Sequence, residues 1–215
     1  MGSNPPGSEE PVLNVVGELV ALGPLREDLL PLYARWHNDL DAMRMLGDRP
    51  GPVTAEEEGR WYEEQVKAED RAFFTVYERE TLRPVGGTNL FGVDFRNRHA
   101  GFGIVIGEPD CRGKGYGTET TSLMLDYAFT VLGLHNVMLT VFAFNPAGLR
   151  AYEKAGFKPI GRRRECRVMG GRVYDEIYMD CLAPEFERPV APGKDWGLSA
   201  WSSPQGTIRT EAGTE

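Results

Sequence analysis

The chain has 215 residues, with 24 Lys and Arg against 32 Asp and Glu, a formal charge of −8 at pH 7. That length fits one folded core with short appendages. The 41% hydrophobic and 26% charged content is that of an ordinary globular chain, which excludes wholesale disorder and a collagen-like repeat. The acidic excess also argues against a nucleic-acid partner, because neutralising phosphates takes a surplus of Lys and Arg.

Cys111, Cys166 and Cys181 are far apart and form no C-x-x-C pair, so neither a disulfide framework nor a zinc knuckle is expected. His37, His99 and His135 show no ligand spacing, and no metal is expected. The first residues lack a basic n-region and an apolar h-region, unlike a signal peptide. No apolar run approaches the roughly 20 residues that span a bilayer, so no membrane partner is expected and the cytoplasm is the default compartment.

In chain order, residues 1–10 read as a disordered leader. A strand is expected at 15–22 and a helix at 25–38. Thr54-Ala55-Glu56-Glu57 is a capping box that opens a helix to about Lys67. Strands follow at 73–78, 85–93 and 101–106. The helix 116–131 carries Leu123, Met124, Tyr127, Ala128 and Val131 on one stripe. A strand at 137–142 leads to a helix at 146–155, with Asn145 as N-cap, Pro146 in the first turn and Gly156 as its stop. Gly170-Gly171 joins strands 160–169 and 173–182 as a hairpin. The core domain is taken as 11–187, and the Pro/Gly-rich stretch 188–215 as a tail. Trp196 and Trp201 are costly to leave in water, so the tail has reason to dock on the core or on a partner subunit. The pattern is one mixed sheet with helices on its faces, α+β or mixed α/β.

The sharpest feature is Arg112-Gly113-Lys114-Gly115-Tyr116-Gly117-Thr118, after an apolar strand and at the start of an amphipathic helix. Closely spaced glycines let backbone N–H groups approach a ligand without Cβ interference. The helix N-terminus adds a positive dipole end, and Arg112 and Lys114 add charge, so the segment reads as an anion cradle. A Walker A loop fails because Gly107 to Gly113 is one residue too long and Gly115 follows the lysine. A dinucleotide fingerprint fails because Thr118 stands where its third glycine belongs. A plain glycine-rich turn is the bland alternative.

These residues resemble the GCN5-related N-acetyltransferase (GNAT) superfamily, whose pyrophosphate motif Q/R-x-x-G-x-G/A is matched by Arg112, Gly115 and Gly117. Asn145, Tyr152 and Gly156-Phe157 resemble its second block. Asn97-Arg98-His99-Ala100 and the closing hairpin 161–182 resemble the branch containing ribosomal-protein N-terminal acetyltransferases. The likeness covers about 13–187. It implies a GNAT fold with a central sheet of about seven strands, and acetyl-CoA as cosubstrate without metal. The acetyl group would pass directly to a primary amine, of a peptide α-terminus or a small molecule, in a ternary complex.

The same resemblance assigns roles. Residues Arg112, Gly113, Lys114, Gly115, Tyr116, Gly117 and Thr118 would cradle the pyrophosphate. The pantetheine arm would run along the strand end at Ile106 and Gly107, where a backbone N–H polarises the thioester carbonyl. Tyr152 aligns with the general acid, its ordinary pKa near 10 suiting protonation of a thiolate near 8.5. It also reads as a packing tyrosine. Asn145 would both cap its helix and touch pantetheine. The branch places a Glu where Gly101 stands, which leaves Glu108, Asp110, His99 and His37 as candidate bases, Glu108 foremost; a water relay would need none of them. Trp36 to Asp39 and Asp41 fall in the helical region that lines the family's acceptor site. Cys111 reads as packing or as an activated thiol. A homodimer is a candidate assembly. The rival reading is a CoA-binding regulatory or interaction module without turnover; longer acyl-CoAs are a second.

Overall fold

A computed structural model describes residues 10–47 and 51–188. Leader residues 1–9 and the tail from 189, with both of its tryptophans, lie outside the described residues. The elements run β1 (Val15–Val16), β2 (Val20–Pro24), α1 (Leu30–His37), α2 (Leu40–Leu46), α3 (Ala55–Lys67), β3 (Ala72–Glu78), β4 (Pro84–Asp94) and β5 (His99–Ile106). They continue with α4 (Tyr116–Asp126), β6 (Asn136–Phe142), α5 (Pro146–Ala155), β7 (Lys158–Met169) and β8 (Arg172–Leu182). One sheet holds eight strands in the order β1-β2-β3-β4-β5-β6-β8-β7.

The expected strand at 15–22 is two strands, which is why the sheet has eight and not about seven. The Glu119 carboxylate on α4 accepts the backbone N–H groups of Glu18 (2.8 Å), Leu19 (2.7 Å) and Val20 (2.7 Å). A Cβ at Gly17 would sit 2.8 Å from that carboxyl group, so glycine is needed where the chain turns back. The helix expected at 25–38 begins only at Leu30, after a 3-10 turn, with Pro31 in its first turn. Helix α2 has no counterpart in the expected elements. Asp39 caps it by accepting from Asp41 and Ala42, and Gly47 ends it at φ +80°. The capping box on α3 closes both ways: Glu57 N–H donates to Thr54 (3.2 Å), and Thr54 N–H donates to Glu57 (3.1 Å).

Side chains alternate along each strand, so the sheet buries both faces. Phe74, Val76, Leu90, Phe102 and Met179 pack with Leu123, Met124 and Leu125 of α4 in the main core. A second cluster joins Tyr77 to Leu29, Tyr33 and Trp36, with Trp61 against it. Helix α4 runs on into a π-helical stretch, Tyr127–Val131. Beyond β8, Phe186 packs on Phe129 at 5.5 Å and Arg188 pairs with Asp126. No described helix is long and apolar enough to cross a membrane.

Among the described strands one pairing is parallel, and it positions the candidate site. β5 and β6 are in register only from His99↔Asn136 to Gly101↔Met138. β5 then follows β4 to Gly86↔Ile106, while β6 follows β8 to Phe142↔Glu176. The two strands diverge, and a wedge opens between them with the edge of β5 unpaired.

Candidate active site

A cleft of about 650 Å³ fills the mouth of that wedge. Its walls are Ile104–Ile106 of β5, the glycine loop, α2 from Asp41 to Leu46, and Asn145 with one face of α5. Gly113 (φ +78°) and Gly115 (φ +91°) adopt left-handed conformations that cost other residues about 1–2 kcal/mol. Gly115 is the N-cap of α4 and brings no side-chain cap. The first-turn N–H groups of Tyr116, Gly117 and Thr118 therefore have no intrahelical acceptor. At Gly117 a Cβ would have only Ile106 Cγ1 as a neighbour, at 4.0 Å, so the space beside it belongs to the cleft.

Several expected side chains do something else. The Tyr116 side chain does not line the cleft: its buried ring is anchored by an O–H bond to Glu78 at 2.6 Å. The structure does not bring Lys114 to the cleft wall. Arg112 lines the cleft, but its guanidinium donates to the carbonyls of Ile106 (3.0 Å) and Gly107 (3.1 Å) and to Asp39 (2.8 Å). That arginine ties the end of β5 to the N-cap of α2, and its charge is largely spent there. It also holds the Asp39 carboxyl below the usual carboxylate range, chiefly through their hydrogen bond.

Of the strand-end pair, only Ile106 presents its N–H to the wedge. The Gly107 N–H donates to Val85 at 2.9 Å, and antiparallel alternation turns the neighbouring Ile106 N–H to the opposite, open edge. Gly107 has a packing role instead: a Cβ there would lie 2.3 Å from the Trp36 ring.

Glu108, the foremost candidate base, does not line the cleft. Its carboxylate is buried off the cleft, accepts the Trp36 indole N–H at 2.7 Å and pairs with Arg35. Glu108→Gln keeps an acceptor for the indole and removes only charge. Turnover with any accepted amine should stay within about threefold, while folding stability falls by about 1 kcal/mol. Steady-state kinetics and a urea midpoint check both. A hundredfold loss of kcat would restore Glu108 to the chemistry.

The other base candidates are also engaged away from the cleft. His37 Nδ1 meets the buried Glu58 at 2.8 Å, and Asp110 pairs with Arg83 at 2.7 Å. His99 lies 3.8 Å from Asp94 on the far end of β5. Asp41 is the one carboxylate on the cleft wall among the described residues, and it faces Arg44 at 3.4 Å. The space a side chain at Gly101 would need is filled by Phe91, whose ring lies 2.3 Å from an ideal Cβ. Cys111 lines the cleft but is buried, and burial pushes its thiol up, away from the thiolate.

Tyr152 does reach the cleft. Its ring stands edge-on to Phe102 (6.3 Å) and Phe157 (6.1 Å), and its hydroxyl has no hydrogen-bond partner among the described residues. Burial pushes the phenol up to about 12, so it remains a neutral donor throughout the physiological range. Asn145 caps α5 by accepting the Gly148 N–H at 2.9 Å, which leaves its amide NH2 as the group available to the cleft.

Two further phenols sit near 12: Tyr33, raised by burial, and Tyr116, raised by its bond to Glu78. All three have folded values above the ordinary phenol near 10. Their stabilising contribution is therefore full below about pH 10 and is lost as pH rises towards 12. Thermal unfolding should show Tm flat across pH 7–9 and falling steeply between 10 and 12. A Tm that holds to pH 12 would contradict these assignments.

The chain and its fold have known relatives. The acetyltransferase (GNAT) domain family matches residues 20–158. The SPbeta prophage-derived N-acetyltransferase YokL of Bacillus subtilis is 30% identical over 149 residues, which is 69% of this chain and 82% of that protein. Human alpha/beta-tubulin N-acetyltransferase 9 is 28% identical over 185 residues, 80% of this chain and 84% of the relative. Among solved structures, spermidine N-acetyltransferase from Vibrio cholerae in complex with CoA and spermine has a TM-score of 0.72 at 26% identity, covering 78% of this chain and 97% of that one.

Proposed function

Since the chain belongs to the GNAT acetyltransferase family, we propose that it transfers the acetyl group of acetyl-CoA to a primary amine by direct attack in a ternary complex. The observation that carries this reading is the meeting, in one cleft, of a strand wedge, a helix start with unsatisfied N–H groups, and a tyrosine hydroxyl without a partner among the described residues. The α4 first turn holds the pyrophosphate. The open edge of β5 pairs with the pantetheine arm, and the Ile106 N–H receives the charge that develops on the carbonyl oxygen. The amine nitrogen bonds to the carbonyl carbon, the C–S bond breaks, and the amine's surplus proton leaves to water. Tyr152 gives its proton to the departing sulfur and regains one from solvent.

The acceptor follows from the missing base. With no free carboxylate or imidazole on the described cleft wall, the enzyme favours amines whose neutral form is cheap. An α-amino group near pKa 8 meets that condition, and a lysine-like amine near 10.4 does so only if neighbouring charges lower it, as in a polyamine. Peptide α-amines and polyamines are therefore the two classes to test first, and the relatives named for spermidine and tubulin support an amine acceptor. Those matches support the family and not its ribosomal-protein branch. An acceptor panel read by mass spectrometry should find turnover, and initial velocities should intersect as a sequential mechanism requires. Tight CoA binding with no acetylation of any amine would favour the non-catalytic module.

A further inference from the structure

We propose that this chain closes into a two-fold dimer in which the acidic helix α3 of each copy seats on the basic β7–β8 hairpin of the other. The assembly is independent of the chemistry in the cleft, and its basis is a helix layer that covers half of one sheet face. Residues paired across neighbouring strands share a face. Phe73, Asn89 and Gly103 therefore lie on one side, followed by a row through Phe91, Gly101 and Met138. Helix α3 covers the β3 end of that face, where Trp61 meets Phe73 edge-on at 5.2 Å. Past β4, Phe91, Met138 and Thr140 are exposed, and the row runs on through Asp180 to Lys158 at the sheet edge. The face is a step, raised at α3 and low across β5, β6 and β8, where Gly101 and Gly103 bring no side chain.

Charge follows the step. Residues 55–70, α3 and the turn after it, hold seven acidic and two basic residues. Residues 158–172, β7 and the hairpin turn, hold six basic and one acidic, the opposite excess. The register puts Lys158, Arg163, Arg167 and Arg172 on the uncovered face. Arg167 is laid along it, donating to the Gly47 carbonyl at 3.1 Å and standing 5.1 Å over the Phe142 ring. Arg163 and Arg172 are exposed and form no ion pair among the described residues, and the same is true of Glu64 and Glu69. Strand β7 ends the sheet, and cations on an outer strand deter stray strand pairing. That accounts for some arginines at this edge but not for the matching acidic excess on α3.

A second copy fits this face because the chain itself supplies both halves of the charge pair. A two-fold axis between facing sheets, near Gly101 and Met138, lowers the raised acidic half of each copy onto the low basic half of the other. The contact is made twice and closes at two copies. It also buries Phe91 and Met138 at its centre, where apolar groups contribute most, and leaves the charges at the rim. A polynucleotide would meet the hairpin but would be repelled by α3 and by the net charge of −8. Rim charges set register and partner choice, and their contribution is screened by salt.

The test is sedimentation of the purified full chain and of two charge-reversed variants, each first shown by circular dichroism to hold the wild-type fold. In low salt the wild type should run at twice 23.9 kDa and dissociate more readily as salt rises. Arg163→Glu/Arg172→Glu sets two acidic surfaces against each other, and Glu64→Lys/Glu69→Lys sets two basic ones. Alone, each should weaken the dimer by at least about a hundredfold in Kd. Mixed one to one, the two variants have opposite charges at both contacts and should form the dimer again. A wild type that stays monomeric in low salt would overturn the proposal. So would a charge-reversed variant that stays dimeric, or a mixture that stays monomeric. Growth beyond two copies would replace the closed pair by an open head-to-tail chain and would overturn the two-fold arrangement.

Discussion

Replacing Gly115 by Val should abolish coenzyme A binding, a loss of at least about a hundredfold in Kd. Gly115 holds φ +91°, a conformation strained for any side chain and worst for a β-branched one. Its Cβ would also press on Leu19 Cδ1 at 3.3 Å. The chain escapes by rotating the loop, and the first-turn N–H groups of α4 then point elsewhere. Because such a variant also loses stability, Gly117→Val is the companion. Position 117 has ordinary backbone geometry and open space, with Ile106 Cγ1 at 4.0 Å, so valine folds there but puts two methyl groups into the cleft. It should match Gly115→Val in lost affinity while its Tm moves by only a few degrees. Calorimetry in EDTA reads both. Backbone N–H groups need no metal, so wild-type binding should be undiminished. Strict dependence on magnesium, or an unchanged Kd in Gly117→Val, would end the cradle assignment.

That loop was legible in the sequence because everything it needs is local. The left-handed glycines, the helix start and the preceding strand occupy a few consecutive residues. The same holds for the Thr54 capping box, the Asn145 cap, and Gly170-Gly171, which turns the hairpin at φ +58° and +73°. What escaped was tertiary. Nothing near Gly17 announces a break, because the carboxylate that holds the turn is on Glu119, about a hundred residues away. Seven-residue α2 is too short to show a period, although Asp39 and Gly47 are the cap signals that mark it in hindsight. Glu108 looked free because its partners, Arg35 and Trp36, come from another element. The partners of Arg112 were hidden for the same reason: the carbonyls and the carboxylate it holds are brought to it by the fold. Residue type and spacing pointed to a candidate site, but which charges remain free within it depends on contacts between distant segments.

Tyr152→Phe should lower kcat by about a hundredfold and leave folding and CoA affinity nearly unchanged. The phenyl ring keeps the edge-on contacts with Phe102 and Phe157, and the hydroxyl removed has no protein partner among the described residues. Little packing or hydrogen bonding is therefore lost in the free enzyme. What is lost is a donor for the departing sulfur. General-acid catalysis contributes 10²–10⁴-fold, and the low end applies because a thiolate, with a thiol near 8.5, is a fair leaving group unaided. The raised phenol restrains the effect further. At about 12 it is a weaker acid than the thiol it serves, so the proton moves late, along a hydrogen bond that strengthens as negative charge grows on sulfur. The raised value also moves the expected pH profile. An ordinary phenol predicts a fall in kcat near pH 10, whereas burial shifts that limb to about 12, where alkaline unfolding intervenes. Between pH 7 and 10 the wild-type and mutant profiles should run parallel, separated by the constant factor. A mutant that keeps most of the wild-type kcat, or loses activity only through KM, would leave Tyr152 as a packing residue. A wild-type limb near pH 10 that vanishes in the mutant would keep the proton donor but give it a solvated, ordinary phenol, so the packing with Phe102 and Phe157 would have to loosen when both substrates bind.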